Sequence, residues 1–237
     1  MKRAFSLLVF DWDGTLMDSE AHIVASMQNA MDSLGLDPLP VTRVRSIIGL
    51  GMREAVRNLY PDADERFIDH FAAAYRKSFM HSGCDVQQLF PGVHQVLAEL
   101  EAAGYLLAVA TGKGRAGLDF VLQETGLTSC FHATRCADES FSKPHPAMLE
   151  ELMLVCGVDS RQTLMIGDTT FDLEMARNAS TASVGVSYGV HPESSLRAYN
   201  PLTILHRIMD LPIWLGDFAE GIRQTNDSIE MYGPART

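Results

Sequence analysis

From Phe90-Pro91-Gly92 onward, apolar runs of strand length alternate with amphipathic stretches of helix length, an order that few folds accept. Val93, Val96, Leu97 and Leu100 fall at helical spacing, and Gly104 stops them. Tyr105 to Ala110 reads as a strand that ends at Thr111. Leu118, Val121 and Leu122 predict a helix closed by Gly126, with a weak strand near Ala133 to Cys136 after it. Met148, Leu149, Leu152 and Met153 predict another helix, closed by Gly157. Thr163 to Ile166 and Thr181 to Ser187 read as two more strands. Such alternation implies an α/β fold: a doubly wound, Rossmann-like parallel sheet covered by helices on both faces.

The segment before Phe90 has a different rhythm. Leu7 to Phe10 is a short apolar run opening into Asp11-Trp12-Asp13-Gly14-Thr15, as a buried strand opens into a loop. Ile23, Met27, Ala30, Met31 and Leu34 then recur at helical spacing, stopped by Gly35. More helical stretches follow on either side of Gly49-Leu50-Gly51, and Phe67, Phe71, Ala74 and Tyr75 share one helix face. No convincing strand is visible from 16 to 90. The expected organisation is a core of 1–15 and 91–215 with 16–90 inserted as a helical cap. Periodicity fades near Asp217, so 216–237 reads as a loosely attached tail.

Lys and Arg number 19 against 30 Asp and Glu, a formal net charge of -11. Such a surface repels nucleic acid and anionic lipid, so neither is expected as a partner. A phosphorylated substrate must then meet a local positive device, and the four lysines, Lys2, Lys77, Lys113 and Lys143, gain interest. Cys84, Cys130, Cys136 and Cys156 lack the spacing of a zinc knuckle or redox pair and read as reduced thiols. Asp11 and Asp13 interrupt the N-terminal apolar run too early for a signal peptide, and no window has the ~18 apolar residues of a membrane helix. A cytoplasmic location is expected. Oligomeric state has no sequence signature here.

In a doubly wound sheet the site lies beyond the carboxyl ends of the strands. Four such ends are distinctive: Asp11 to Thr15, Thr111-Gly112-Lys113, Ser142-Lys143-Pro144, and Gly167-Asp168-Thr169-Thr170-Phe171-Asp172. Crowded carboxylates call for a divalent cation, and oxygen ligands with few protein anchors suit Mg2+. A carboxylate beside the metal can attack phosphorus to give an aspartyl phosphate. An acid two residues on can protonate the leaving oxygen and then activate water. A hydroxyl and a lysine can hold the oxygens where charge accumulates.

In these residues the chain resembles the haloacid dehalogenase-like hydrolase superfamily, over most of its length up to about residue 215. DWDGT is similar to the family's DxDGT motif and GDTTFD to its GDxxxD pattern. The resemblance implies Asp11 as nucleophile and metal ligand, and Asp13 as general acid/base lending its carbonyl to the metal. It implies Thr111 and Lys143 as catalytic groups on the phosphoryl oxygens. Asp168 becomes a direct metal ligand, and Asp172 supports the metal site through water or from behind. The helical insert resembles the cap of phosphoglycolate phosphatase-like members. The implied activity is magnesium-dependent hydrolysis of a small phosphorylated metabolite, the cap setting which one.

Other readings share some of these residues. A phosphorylation-receiver module also pairs acids with a lysine, but at about half this length and without an insert. A dehalogenase has no use for Asp13, and a phosphonate-cleaving relative would need a cap lysine where only Lys77 occurs. A sugar phosphomutase with the same cap is the main alternative, and a catalytically silent binding protein would have no need of every motif residue. Gly112 replaces an asparagine found in many relatives, while remaining a candidate substrate contact with Thr111 and Lys143. Arg53 and Arg57, one helical turn apart beyond Gly49-Leu50-Gly51, make Arg53 a candidate for a substrate's second anion. His22 and His145 read as polar-face and loop residues, and Trp12 as packing beneath its loop.

Overall fold

The computed structural model describes residues 3–81 and 88–231. The chain opens with β1 (Leu7–Phe10), crosses into a helical block through β2 (Met17–Asp18), and runs through α1 (Glu20–Ser33), α2 (Val41–Arg45), α3 (Met52–Leu59) and α4 (Glu65–His81). It returns through β3 (Gln88–Leu89). Alternation then begins with α5 (Val93–Ala102), β4 (Leu106–Thr111), α6 (Arg115–Glu124), β5 (Ala133–Cys136) and α7 (Ala147–Cys156). The last elements are β6 (Thr163–Gly167), α8 (Thr170–Asn178), β7 (Ala182–Val186), α9 (Glu193–Arg197), β8 (Ile204–Leu205) and α10 (Leu211–Met231).

Six strands form one parallel sheet in the order β5-β4-β1-β6-β7-β8. β1 is central because its four residues are apolar without interruption and suit burial on both faces. Leu7 and Val9 point to one face, with Met165, Met148, Leu149 and Leu152. Leu8 and Phe10 point to the other, with Val96, Leu97, Leu118, Val121 and Leu215. Phe10 is level with Val109 of β4 and Ile166 of β6, so the three strands reach the same edge together. The chain builds outward from β1 first one way and then the other, which places the switch in strand order at this edge.

The cap has an apolar cluster of its own. Met27, Met31, Val44, Ile48, Val56, Ile68 and Phe71 are almost wholly buried among α1 to α4. The fold is thus a Rossmann-like core with an inserted helical cap.

Several details differ from the sequence reading. A short antiparallel pair, Met17–Asp18 with Gln88–Leu89, lies in the stretch read as free of strands; two residues per strand carry no periodicity. β8 escapes for the same reason. The expected tail, 216–237, continues α10 as far as Met231, with 232–237 outside the described residues; its Phe218 stacks on Phe5 at 5.6 Å, just after the buried Leu211 and Leu215. Gly216 and Gly221 obscure that helix, since glycine disfavours a helix interior by about 1 kcal/mol. Cys130, Cys136 and Cys156 are free thiols, and Cys84 lies outside the described residues. Among the described residues no helix is long and apolar enough to cross a membrane.

Candidate active site

The Asp11 amide donates to the Ile166 carbonyl at 2.9 Å, carrying the ladder one residue past β1. The chain then doubles back, with the amides of Leu16 and Met17 both on the Trp12 carbonyl at 3.0 Å. Gly14 makes that turn at φ +84°, and a Cβ there would overlap the Asp168 carboxylate, so glycine answers two constraints at once. Trp12 is buried, its Nε1 on Met17 Sδ at 3.3 Å, as packing beneath the loop requires.

Asp168 follows β6 and is fixed from two directions. Thr15 Oγ1 donates to its Oδ1 at 2.7 Å, and the Val190 amide donates to its Oδ2 at 2.8 Å. Asp172 stands in the first turn of α8 and closes a capping box with Thr169. The Thr169 amide and hydroxyl donate to its Oδ2 at 3.0 and 2.7 Å. Its Oδ1 faces Lys143 Nζ at 2.6 Å. Asp172 is therefore both a helix cap and part of the cluster.

Lys143, wholly buried, also lies 2.7 Å from Asp11 Oδ1. Apart from Lys143 the Asp11 carboxylate has no partner among the described residues, and its Oδ2 receives no hydrogen bond. Asp11, Asp168 and Asp172 each present an oxygen within 4.8 Å of the others. Burial pushes the Asp11 pKa well above the carboxylate range; Lys143 pulls it back, and Asp172 and Asp168 add to the rise. Burial and then Asp172 push Asp168 up to about 7, against the Val190 amide and Thr15 hydroxyl. For Lys143 burial opposes the charge, but Asp11 and Asp172 outweigh it and raise the pKa. Three carboxylates around one ammonium leave an excess of negative charge that a divalent cation would balance. The unpartnered Oδ2 of Asp11 fits a hard, oxygen-seeking ion.

Asp13 sits beside this cluster, its carboxylate receiving Ser19 Oγ at 2.5 Å and Lys113 Nζ at 2.9 Å. Thr111 is fully buried at the end of β4, and its Oγ1 accepts the Lys113 amide at 3.1 Å. From the cap, the Phe79 ring lies 4.5 Å from Lys113 Nζ. Burial, then the nearby Asp13 charge, raises the pKa of the cap's Tyr75. Sequence reasoning gives Lys113 no role. The signal available is its rarity, one of four lysines, two residues past Thr111.

The structure thus brings Asp11, Asp13, Thr111, Lys143, Asp168 and Asp172 to one edge, with Gly112 under the cap. Arg53 is elsewhere. Its guanidinium is exposed and held by Asp69 Oδ1 at 2.5 Å and by Glu65, which also takes Arg57 at 2.7 Å. Among the described residues Arg53 has no contact with the acid cluster. His22 Nε2 meets the Phe79 carbonyl at 3.2 Å, and His145 Nδ1 accepts the Ala147 amide at 3.2 Å, both local roles.

Acids gathered where the strand order switches, under an inserted helical cap, define a class of α/β catalytic core. The chain belongs to the haloacid dehalogenase-like hydrolase family, whose sequence model matches residues 8–186. A Dickeya dadantii protein named Probable phosphatase IndB is 36% identical over 205 residues, 84% of this chain and 88% of that protein. A phosphoglycolate phosphatase of Agrobacterium fabrum is 32% identical over 196 residues, 77% of this chain and 81% of the other. The crystal structure of a hydrolase from Pseudomonas syringae shares the fold, with a TM-score of 0.83 and 23% identity. That superposition covers 90% of this chain and 99% of the other.

Proposed function

We propose that this chain is a magnesium-dependent phosphatase that releases inorganic phosphate from a small phosphorylated metabolite by way of an aspartyl phosphate. The observation that carries the reading is Asp11, a buried carboxylate whose Oδ1 meets Lys143 and whose Oδ2 has no hydrogen-bond partner, within reach of Asp168. The names of the relatives above point to the same reaction class.

Mg2+, held by Asp11, the Asp13 carbonyl and Asp168 with Asp172 behind them, would neutralise charge on the transferring group. An Asp11 carboxylate oxygen attacks phosphorus, the bond from phosphorus to the leaving oxygen breaks, and Asp13 delivers its proton to that oxygen. Ser19 and Lys113 keep the Asp13 carboxylate aimed. Thr111 donates its hydroxyl hydrogen to a phosphoryl oxygen, and Lys143 offsets the charge on Asp11 and the equatorial oxygens. In the second half Asp13 takes a proton from water as that water attacks the phosphorus. The bond to Asp11 breaks, and inorganic phosphate leaves.

The test is phosphate release from a panel of phosphate esters, with Mg2+ and with EDTA, for the wild type and Asp11→Asn. Activity is expected only with the metal, and the amide should remove it, being a poor nucleophile and ligand. Full turnover in EDTA, or an Asp11→Asn variant retaining more than about one hundredth of wild-type activity, overturns the covalent mechanism.

A further inference from the structure

Gly112 follows Thr111 at the end of β4, and its backbone is not in the left-handed region, so no conformational reason demands glycine there. The reason is space. A Cβ on residue 112 would lie 2.5 Å from the Leu50 carbonyl oxygen, 2.7 Å from that of Gly49 and 2.9 Å from the Gly49 carbonyl carbon. All three atoms belong to the backbone of the cap loop. The same loop meets the strand-end loops after β5 and β6. The Gly51 amide donates to Ser142 Oγ at 2.8 Å, and a Cβ on Gly51 would come 2.9 Å from the Ala137 Cβ. A Cβ on Gly49 would come 3.1 Å from the Thr169 side chain. Three consecutive cap residues therefore press on the ends of three core strands, and glycine at 112 makes the nearest approach possible.

We propose that Gly112 is a specificity-determining residue, which fixes how deeply the cap loop Gly49–Gly51 seats over the phosphoryl site and so restricts the enzyme to esters with small leaving groups. This rests on the phosphatase reading above. Thr111 and Asp11 mark where the phosphoryl group sits, so the leaving group must extend towards the cap, between the seated loop and the Lys113–Phe79 contact. Any side chain at 112 forces the loop outward. From 2.5 Å to the 3.0 Å that real Cβ contacts require is a displacement of at least 0.5 Å, and it falls on backbone that cannot rotate out of the way. The three atoms nearest such a Cβ all belong to the cap, so the displacement expected of alanine at 112 falls on the loop before the sheet and its acids.

The test compares wild type, Gly112→Ala and Ser142→Ala on esters of rising size: phosphoglycolate, glycerol 1-phosphate, glucose 6-phosphate and AMP. Wild-type kcat/KM is expected to fall with size. Gly112→Ala should lose on the order of 10- to 100-fold on the two smallest esters, as an ångström-scale misplacement does, with less than about threefold loss on the larger two. Ser142→Ala, which removes the latch without adding volume, should shift the profile the same way by less. Hydrogen exchange at the Gly51 amide gives a readout independent of turnover. It should quicken in Gly112→Ala, while the amides of β1 and β6 stay protected. An unchanged Gly51 amide, or equal loss across all four esters, overturns the proposal. A wild type that hydrolyses no ester refutes the phosphatase reading instead, and the exchange result still decides whether residue 112 seats the loop.

Discussion

Lys143 and Arg53 are both cations gripped by two carboxylates, one at the sheet edge and one on the cap. Lys143, between Asp11 and Asp172, has no exposed side-chain surface; Arg53, between Asp69 and Glu65, is 45% exposed. Drawn as contacts the two look alike, but their energetics differ. Water around Arg53 screens its partners and would replace them at little cost. Lys143 has no such substitute, and its removal leaves two buried carboxylates facing each other. Burial, more than pairing, separates a site from a solvated helix face.

Lys143→Met should break the buried arrangement with the largest effect: loss of turnover and destabilisation of about 3–5 kcal/mol, read by urea unfolding. A stability change as small as that of an exposed pair would erase the distinction. The second test uses pH. Asp168 has a folded pKa near 7 against an ordinary value of 3.8, so the folded state holds an extra proton between those values. Stability of the EDTA-treated protein should accordingly fall as pH rises from about 4 to about 7, and Mg2+ should recover most melting temperature at the upper end. Thermal melts across that range, with and without Mg2+, decide it; a metal-free protein that gains stability over the window would contradict it. Lys113, 8% exposed between Asp13 and Phe79, stands between the extremes. Losing its charge-assisted contact in Lys113→Met should lower kcat by about 10- to 100-fold and cost about 1–3 kcal/mol of stability, less than Lys143→Met and more than Arg53→Ala. The smallest effect belongs to Arg53→Ala, for which KM should move less than about twofold. A larger rise in KM would restore Arg53 as the receiver of a substrate anion.

The sheet edge was legible because its signals are local. A buried parallel strand must be apolar throughout, and Leu7 to Phe10 and Tyr105 to Ala110 are, so the acids and the threonine at their ends fall into place. Lys143 and Asp172 come from loops without periodicity and needed the family resemblance. Arg53 reads as a substrate contact because two cations one turn apart look the same in sequence whether they face a cleft or water; its partners in the structure, Glu65 and Asp69, lie on α4. Lys113 reaches Asp13 through tertiary folding alone, while Ser19, six residues on, is local but belongs to no motif. Gly112 reads in the sequence as a missing side chain, and in the structure as a place occupied by the backbone of another segment.

The ribbon of Met17–Asp18 against Gln88–Leu89 also fixes the topology of exchange between the two halves. The Phe90 amide donates to the Leu16 carbonyl at 2.9 Å, so the outgoing and incoming strands leave the sheet side by side. A segment whose ends already touch can be excised, lengthened or transplanted without closing a new gap, and loop-closure entropy grows only by about 0.6 kcal/mol per doubling of length. The hydrolytic machinery contributes its own strand ends and needs only a compatible lid. One core can then host unlike lids through a junction only two residues wide on each side.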